Sequence, residues 1–141
     1  GKQHHREDIP GRGFADRLQG FASTVTSDFN ILALGRSPEA MVRAVNRVLH
    51  LRGGIVLVED DRILHEWPLP IAGIMENRSL AACGQKEEEL RTELSARGYA
   101  FHDPLFSLHF LAGDFLPAVR LSPRGVWDVK SGRVLLPSRR R

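Results

Sequence analysis

Apolar positions along the chain fall into short blocks set apart by turn-forming residues. Residues 21–26 favour a strand, with Thr24, Val25 and Thr26 in a row, and 30–34 is a second short apolar run ending at Gly35. Ser27-Asp28 between them suits a turn, because such side chains bond nearby backbone groups. Two antiparallel strands are predicted. Ser37, Pro38 and Glu39 then supply an N-cap, a first helical position and a favourable charge at the positive end of the dipole. Met41, Val45, Val48 and Leu49 follow at the spacing of one buried helix face. Gly53-Gly54 ends that helix, since glycine takes the left-handed conformation without a clash.

Residues 55–58 form a continuous apolar run, short enough for a fully buried strand. Glu59-Asp60-Asp61 turns the chain, and 62–67 returns as a strand that Pro68 and Pro70 bring to a stop. Residues 71–77 are predicted as a single helical turn packed on the sheet. A more exposed helix runs from Ser79 through Leu80, Leu90 and Leu94 to Gly98. Asp103-Pro104 starts a third, with Leu105, Leu108 and Leu111 on one column and Phe106 and Phe110 on another. Residues 118–121 and 125–129 read as strands, and Lys130-Ser131-Gly132 turns again into 133–136. The order ββαββααββ, with tight turns between neighbouring strands, predicts an α+β domain with a mainly antiparallel sheet and helices packed on one face. Residues 1–18 read as a lead-in or linker segment, 19–137 as the domain, and 138–141 as a basic tail.

Composition narrows the functional classes. The chain has 141 residues, 42% hydrophobic and 26% charged, with one cysteine. That is one globular domain, long enough to bury a core unaided. Cys83 alone excludes a disulfide framework and any site that needs paired thiolates. No apolar run approaches the roughly 18 residues of a membrane span, and the polar start is not a secretory signal. A soluble, cytoplasmic setting is expected. The first residue is not methionine, which reads as processing or as a piece of something longer. The net charge of +3 comes entirely from Arg139, Arg140 and Arg141, the other 17 basic side chains matching the 17 acidic ones. With no basic stretch interleaved with aromatics, nucleic acid is not an expected partner.

Catalytic equipment is hard to find. His4, His5, His50, His65, His102 and His109 form no metal-binding motif. Gly53-Gly54 leads from helix into strand, the reverse of a phosphate cradle. No nucleophile elbow exists, and Cys83 lies on a polar helix with no histidine close in sequence. The acidic runs at 59–61 and 87–89 read as a hairpin turn and a solvated helix face. One constellation stands out: Ser27-Asp28-Phe29-Asn30, with Ser23 and Thr24 just before it. Its polar groups either serve turn chemistry or converge on a ligand at a strand end.

The block Gly53-Gly-Ile-Val-Leu-Val-Glu-Asp-Asp-Arg-Ile-Leu-His-Glu-Trp-Pro-Leu-Pro-Ile-Ala-Gly-Ile-Met75 resembles the C-terminal domain of bacterial adenine deaminases, whose G-G-I-V-V-V-E-D and L-P-L-P-I-A-G-L-M stretches are distinctive. Ala44-Val45-Asn46-Arg47, Asp103-Pro104-Leu105, Phe110-Leu111 and Leu121-Ser-Pro-Arg-Gly-Val-Trp-Asp-Val129 support the likeness. So do Gly11-Arg-Gly-Phe14 and Ala22-Ser-Thr-Val25, so it extends over about 11–129. The family's V-A-H-D-S-H-N stands here as Val25-Thr-Ser-Asp-Phe-Asn30. That is one residue shorter and keeps Asp28 and Asn30 but neither histidine.

The resemblance implies an enzyme that hydrolyses adenine to hypoxanthine and ammonia in purine salvage. Its chemistry belongs to an upstream amidohydrolase barrel holding a divalent metal, manganese or iron, which lowers the pKa of a bound water. For this chain the expectation is a supporting domain with no catalytic residue, no metal ligand and no cofactor of its own. The expected partners are the parent's barrel and further copies in a homo-oligomer, with adenine as the parent's substrate. Ser27, Asp28 and Asn30 are the candidate substrate-binding or domain-interface residues. The alternative is a diverged, non-catalytic purine-binding or assembly module.

Overall fold

The computed structural model describes residues 14–113, 116, 118–122 and 124–138. In chain order the elements are β1 (Gly20–Ser23), β2 (Leu32–Leu34), α1 (Pro38–Leu51), β3 (Gly54–Glu59), β4 (Arg62–Pro68), α2 (Leu80–Ser95), α3 (Pro104–Leu111), β5 (Val119–Ser122), β6 (Gly125–Asp128) and β7 (Arg133–Pro137). One sheet has the order β2-β1-β3-β4 and the other β5-β6-β7, with every pairing antiparallel. This is the α+β architecture and order expected, with the run at 133–136 forming a further strand. Residues 1–13 of the lead-in segment and Arg139, Arg140 and Arg141 of the tail lie outside the described residues. Phe14, Ala15 and Leu18 belong to the core, packed with Phe21 and Tyr99.

The helices divide between the two faces of the larger sheet, whereas the sequence reading placed them on one. The reason lies in β3. Val56 and Val58 face α1 among Ala22, Ala40, Ala44 and Val48, while Ile55 and Leu57 face Phe21, Trp67, Leu90, Leu94 and Leu108. Four consecutive apolar residues leave no solvent face, so both sides need cover. Each of these side chains, once buried, is worth about 1.5–3 kcal/mol.

Helix α1 begins where expected: the Ser37 hydroxyl accepts the Ala40 N–H at 3.2 Å, and Pro38 occupies the first turn. Its buried stripe is Ala40, Ala44 and Val48; of the expected column Val48 is fully buried, Met41 and Val45 are half-buried, Val45 packing against the cluster, and Leu49 is 57% exposed. Small residues prevail because α1 lies close on β1. A Cβ on Gly20 would stand 2.3 Å from the Ala40 carbonyl carbon. The left-handed cap is Arg52 (φ 60°) rather than a glycine. Gly53 is needed for a different reason, since a Cβ there would meet the Gly73 Cα at 2.5 Å.

The Asp60-Asp61 turn joins β3 to β4 with both residues left-handed (φ 47° and 64°). Gln19 pairs with Asp60 through two hydrogen bonds, and Arg43 reaches Asp61 at 2.8 Å. Helix α2 is capped by Ser79, whose hydroxyl accepts the Ala82 N–H at 3.3 Å. Its far end is held by Arg97, paired with Glu59 and Glu93. Helix α3 is capped by Asp103, which accepts the Phe106 N–H at 2.8 Å. Leu108 is its buried contact, whereas Phe106 is exposed and packs at a tilt against Phe110. Among the described residues no helix is long and apolar enough to cross a membrane.

Candidate functional site

Strand β1 ends at Ser23, earlier than the predicted 26, because Thr24 leaves the ladder. Its Oγ1 accepts the Gly54 N–H at 2.8 Å and donates to the Gly73 carbonyl. The chain then enters the predicted turn. Thr26 Oγ1 donates to the Asn30 carbonyl at 2.9 Å, and Asp28 accepts from the Asn30 side-chain amide at 2.9 Å and its backbone N–H at 3.4 Å. Ser27 is held through its backbone N–H, 3.1 Å from the His109 carbonyl, which ties the turn to α3. Partial burial pushes the Asp28 carboxyl up. The hydrogen bonds from Asn30, Thr26 and local backbone outweigh it and hold the group below its usual value.

The structure therefore brings Asp28 and Asn30 together, both exposed, and sets Ser27 beside them, half-buried. Their bonds brace Phe29, which sits between them with φ 57° and is 77% exposed. A bulky residue in this conformation is an outlier that the surroundings must enforce. The Asx bonding is that enforcement. Sequence inspection singled out the polar residues and passed over the aromatic that they present.

Beside Phe29 opens a cleft of about 290 Å³ with an apolar lining. Three segments build it: Thr24, Phe29 and Ile31 from the turn; Val48, Leu49, Arg52 and Gly53 from the end of α1; Pro70, Ala72 and Gly73 from the loop after β4. The predicted helical turn at 71–77 is instead a short loop closed by a bridge between Ile71 and Met75, with Ala72 and Gly73 left-handed. Two contacts impose that shape: the Gly73 carbonyl accepts from Thr24, and Gly73 packs against Gly53. The loop's far end is tied down by Glu76. That carboxylate accepts from the Trp67 indole at 2.7 Å and pairs with Arg78.

Elsewhere the polar groups do structural work. Arg47 on α1 makes a bidentate pair with Glu66 on β4, at 2.6 and 2.9 Å. The Arg47 hydrogen bond lowers the Glu66 carboxyl, partial burial opposing it. His65 is buried between β4 and α2, and its Nε2 has no hydrogen-bond partner among the described residues. Among the described residues no group of three histidine, cysteine or acidic side chains is placed to hold a metal ion. These residues do not fit a divalent metal centre.

Over residues 5–133 the chain matches the family described as the adenine deaminase C-terminal domain. It is 42% identical over 127 residues to "Putative adenine deaminase YerA" of Bacillus subtilis (strain 168), covering 90% of this chain and 22% of that protein. It is 33% identical over 122 residues to "Adenine deaminase" of the same organism, covering 85% of this chain and 21% of that protein. To "Adenine deaminase" of Staphylothermus marinus it is 33% identical over 129 residues, covering 90% and 21%. The chain thus spans about a fifth of the length of these curated relatives.

Proposed function

The chain belongs to the adenine deaminase C-terminal domain family, and from that premise we propose that it is the C-terminal domain, or a fragment, of an adenine deaminase. The reaction of such an enzyme is hydrolysis of adenine to hypoxanthine and ammonia, in cytoplasmic purine salvage. The reading rests on one observation: the match fills this chain yet only a fifth of its relatives, so most of their polypeptide lies outside this domain. The divalent metal, manganese or iron, and the groups that move protons belong to the remaining part, an amidohydrolase barrel. This domain contributes a two-faced α+β scaffold, and the Ser27, Asp28 and Asn30 turn lies on the face that meets the barrel. The exposed Asp28 carboxylate and the braced geometry around Phe29 support that placement.

The test is an assay of the chain alone for ammonia release from adenine with manganese or iron added. The expected outcome is no turnover above background. Turnover by this chain unaided would overturn the dependence on a barrel. One feature favours a second reading, a purine-binding or assembly module: residues 25–30 carry none of the histidines of the family stretch they resemble. Tight adenine binding in calorimetry by the chain alone would support that alternative.

A further inference from the structure

Three of the six non-glycine residues with left-handed backbone among the described residues, Phe29, Arg52 and Ala72, line the same cleft. Two of the others, Asp60 and Asp61, are accounted for by a tight hairpin turn braced by Gln19 and Arg43. Phe29 is held by the Asp28–Asn30 bonds, Arg52 by its place as the cap of α1 and Ala72 by the contacts of Gly73 with Thr24 and Gly53, so three separate local devices converge on one concavity and fix its shape. Around it Leu49 and Ile71 are also solvent-exposed. The Arg52 guanidinium has no partner among the described residues. An exposed aromatic, an unpaired arginine and a rim of aliphatic side chains on rigid backbone are the composition of a protein-binding hot spot. Backbone strain held in place by surrounding bonds is characteristic of functional positions.

We propose that this cleft is the docking surface for the catalytic region of the parent deaminase chain. Phe29 enters an apolar pocket there, and Arg52 meets a carboxylate or carbonyl acceptor at its edge. The occupant follows from length. About four-fifths of each curated relative lies outside this domain, and that remainder has to meet the domain somewhere. Two other exposed apolar side chains are poorer candidates: Val42 stands on the solvent side of α1 beside charged residues, and Leu80 lies at the start of α2. The inference rests on the family reading, which it makes specific to one face.

Two measurements test it. The first uses the chain alone with Phe29→Asn. Asparagine adopts the left-handed region far more readily than phenylalanine, so relief of strain raises the melting temperature by about 2–4 °C. The second is amide hydrogen exchange, comparing the chain alone with the same chain fused in place of the matching part of the B. subtilis adenine deaminase. Exchange in 24–31, 49–53 and 71–73 is expected to slow at least tenfold in the fusion, with 38–46 unchanged. Phe29→Asn in the fusion is expected to undo that protection in all three segments. Protection confined to another face, such as β5–β7, would overturn this inference and leave the family reading standing. Protection nowhere would overturn both. Concentration-dependent protection of the cleft in the chain alone would assign the surface to a second copy and also overturn it. So would a Phe29→Asn chain less stable than the parent.

Discussion

The substitution Gly20→Ala tests how closely α1 lies on β1. The added methyl would sit 2.3 Å from the Ala40 carbonyl carbon, 2.4 Å from its oxygen and 2.7 Å from its Cβ, where ordinary contact begins at 3.4 Å. Backbone cannot swing aside as a long side chain can, so α1 must retreat by about 1 Å, and a gap of that size forfeits a quarter to a half of each contact's attraction. The loss falls on Ala22, Ala44, Val48, Val56 and Val58, the cluster between α1 and the sheet. Overpacking of this kind costs about 1–3 kcal/mol, and the stiffer unfolded chain returns about 0.4–1 kcal/mol. The expected net is a destabilisation of about 1 kcal/mol, or about 2–4 °C in melting temperature. Gly84→Ala is the matched control. It makes the same chemical change inside α2, where a Cβ meets nothing within 4 Å, and it should stabilise by up to about 1 kcal/mol. Urea denaturation followed by circular dichroism, with equal m-values, reads both. Gly20→Ala at or above wild-type stability would refute the close approach, and a destabilising Gly84→Ala would refute the account of the control.

Thr24→Val keeps the side-chain volume but removes the acceptor for the Gly54 N–H and the donor to the Gly73 carbonyl. A loss of about 1–3 kcal/mol is expected, with faster amide exchange in 71–75; unchanged exchange there would show that this hydroxyl does not hold the loop. Burial lowers the His65 imidazole below its usual value, with Lys86 adding to the effect and Glu89 and Glu93 opposing it. The unfolded chain therefore takes up the proton first, near pH 6.5, so this contribution is complete above that pH and is lost as pH falls toward the folded value. His65→Leu is expected to shrink the stability difference between pH 7.5 and pH 5.5 in urea titrations, and an unchanged difference would remove His65 as its source.

Much of the fold could be read from local chemistry. Ser37-Pro38, Ser79 and Asp103-Pro104 are cap signals whose effect is confined to one turn, so all three helices start where the residues place them. The unbroken apolar run of β3 carried more information than was drawn from it, since a strand without a polar face has to be covered twice. The α1 stripe keeps Val48 but turns toward Ala40 and Ala44, although Met41 and Leu49 are more hydrophobic. Close approach to Gly20 rewards small size over apolar area, and that approach is a tertiary fact. The loop after β4 failed for a similar reason: its shape is dictated by Thr24 and Gly53, which are distant in sequence. The site was half legible. Asp28 and Asn30 announced a turn, but the cleft is assembled from residues near 29, 52 and 72, and no spacing rule joins those positions.

The double cover of β3 also bears on synthesis at the ribosome. The first hairpin, α1 and the β3–β4 pair can all assemble once about residue 68 has emerged, yet Ile55, Leu57 and Trp67 then have only Phe14, Ala15 and Leu18 beside Phe21 to shield that face. Their cover, Leu90, Leu94 and Leu108, arrives only with α2 and α3. A nascent chain at that stage presents a sticky apolar sheet to its surroundings, so the interval between the making of Trp67 and of Leu108 is the period when a chaperone matters most.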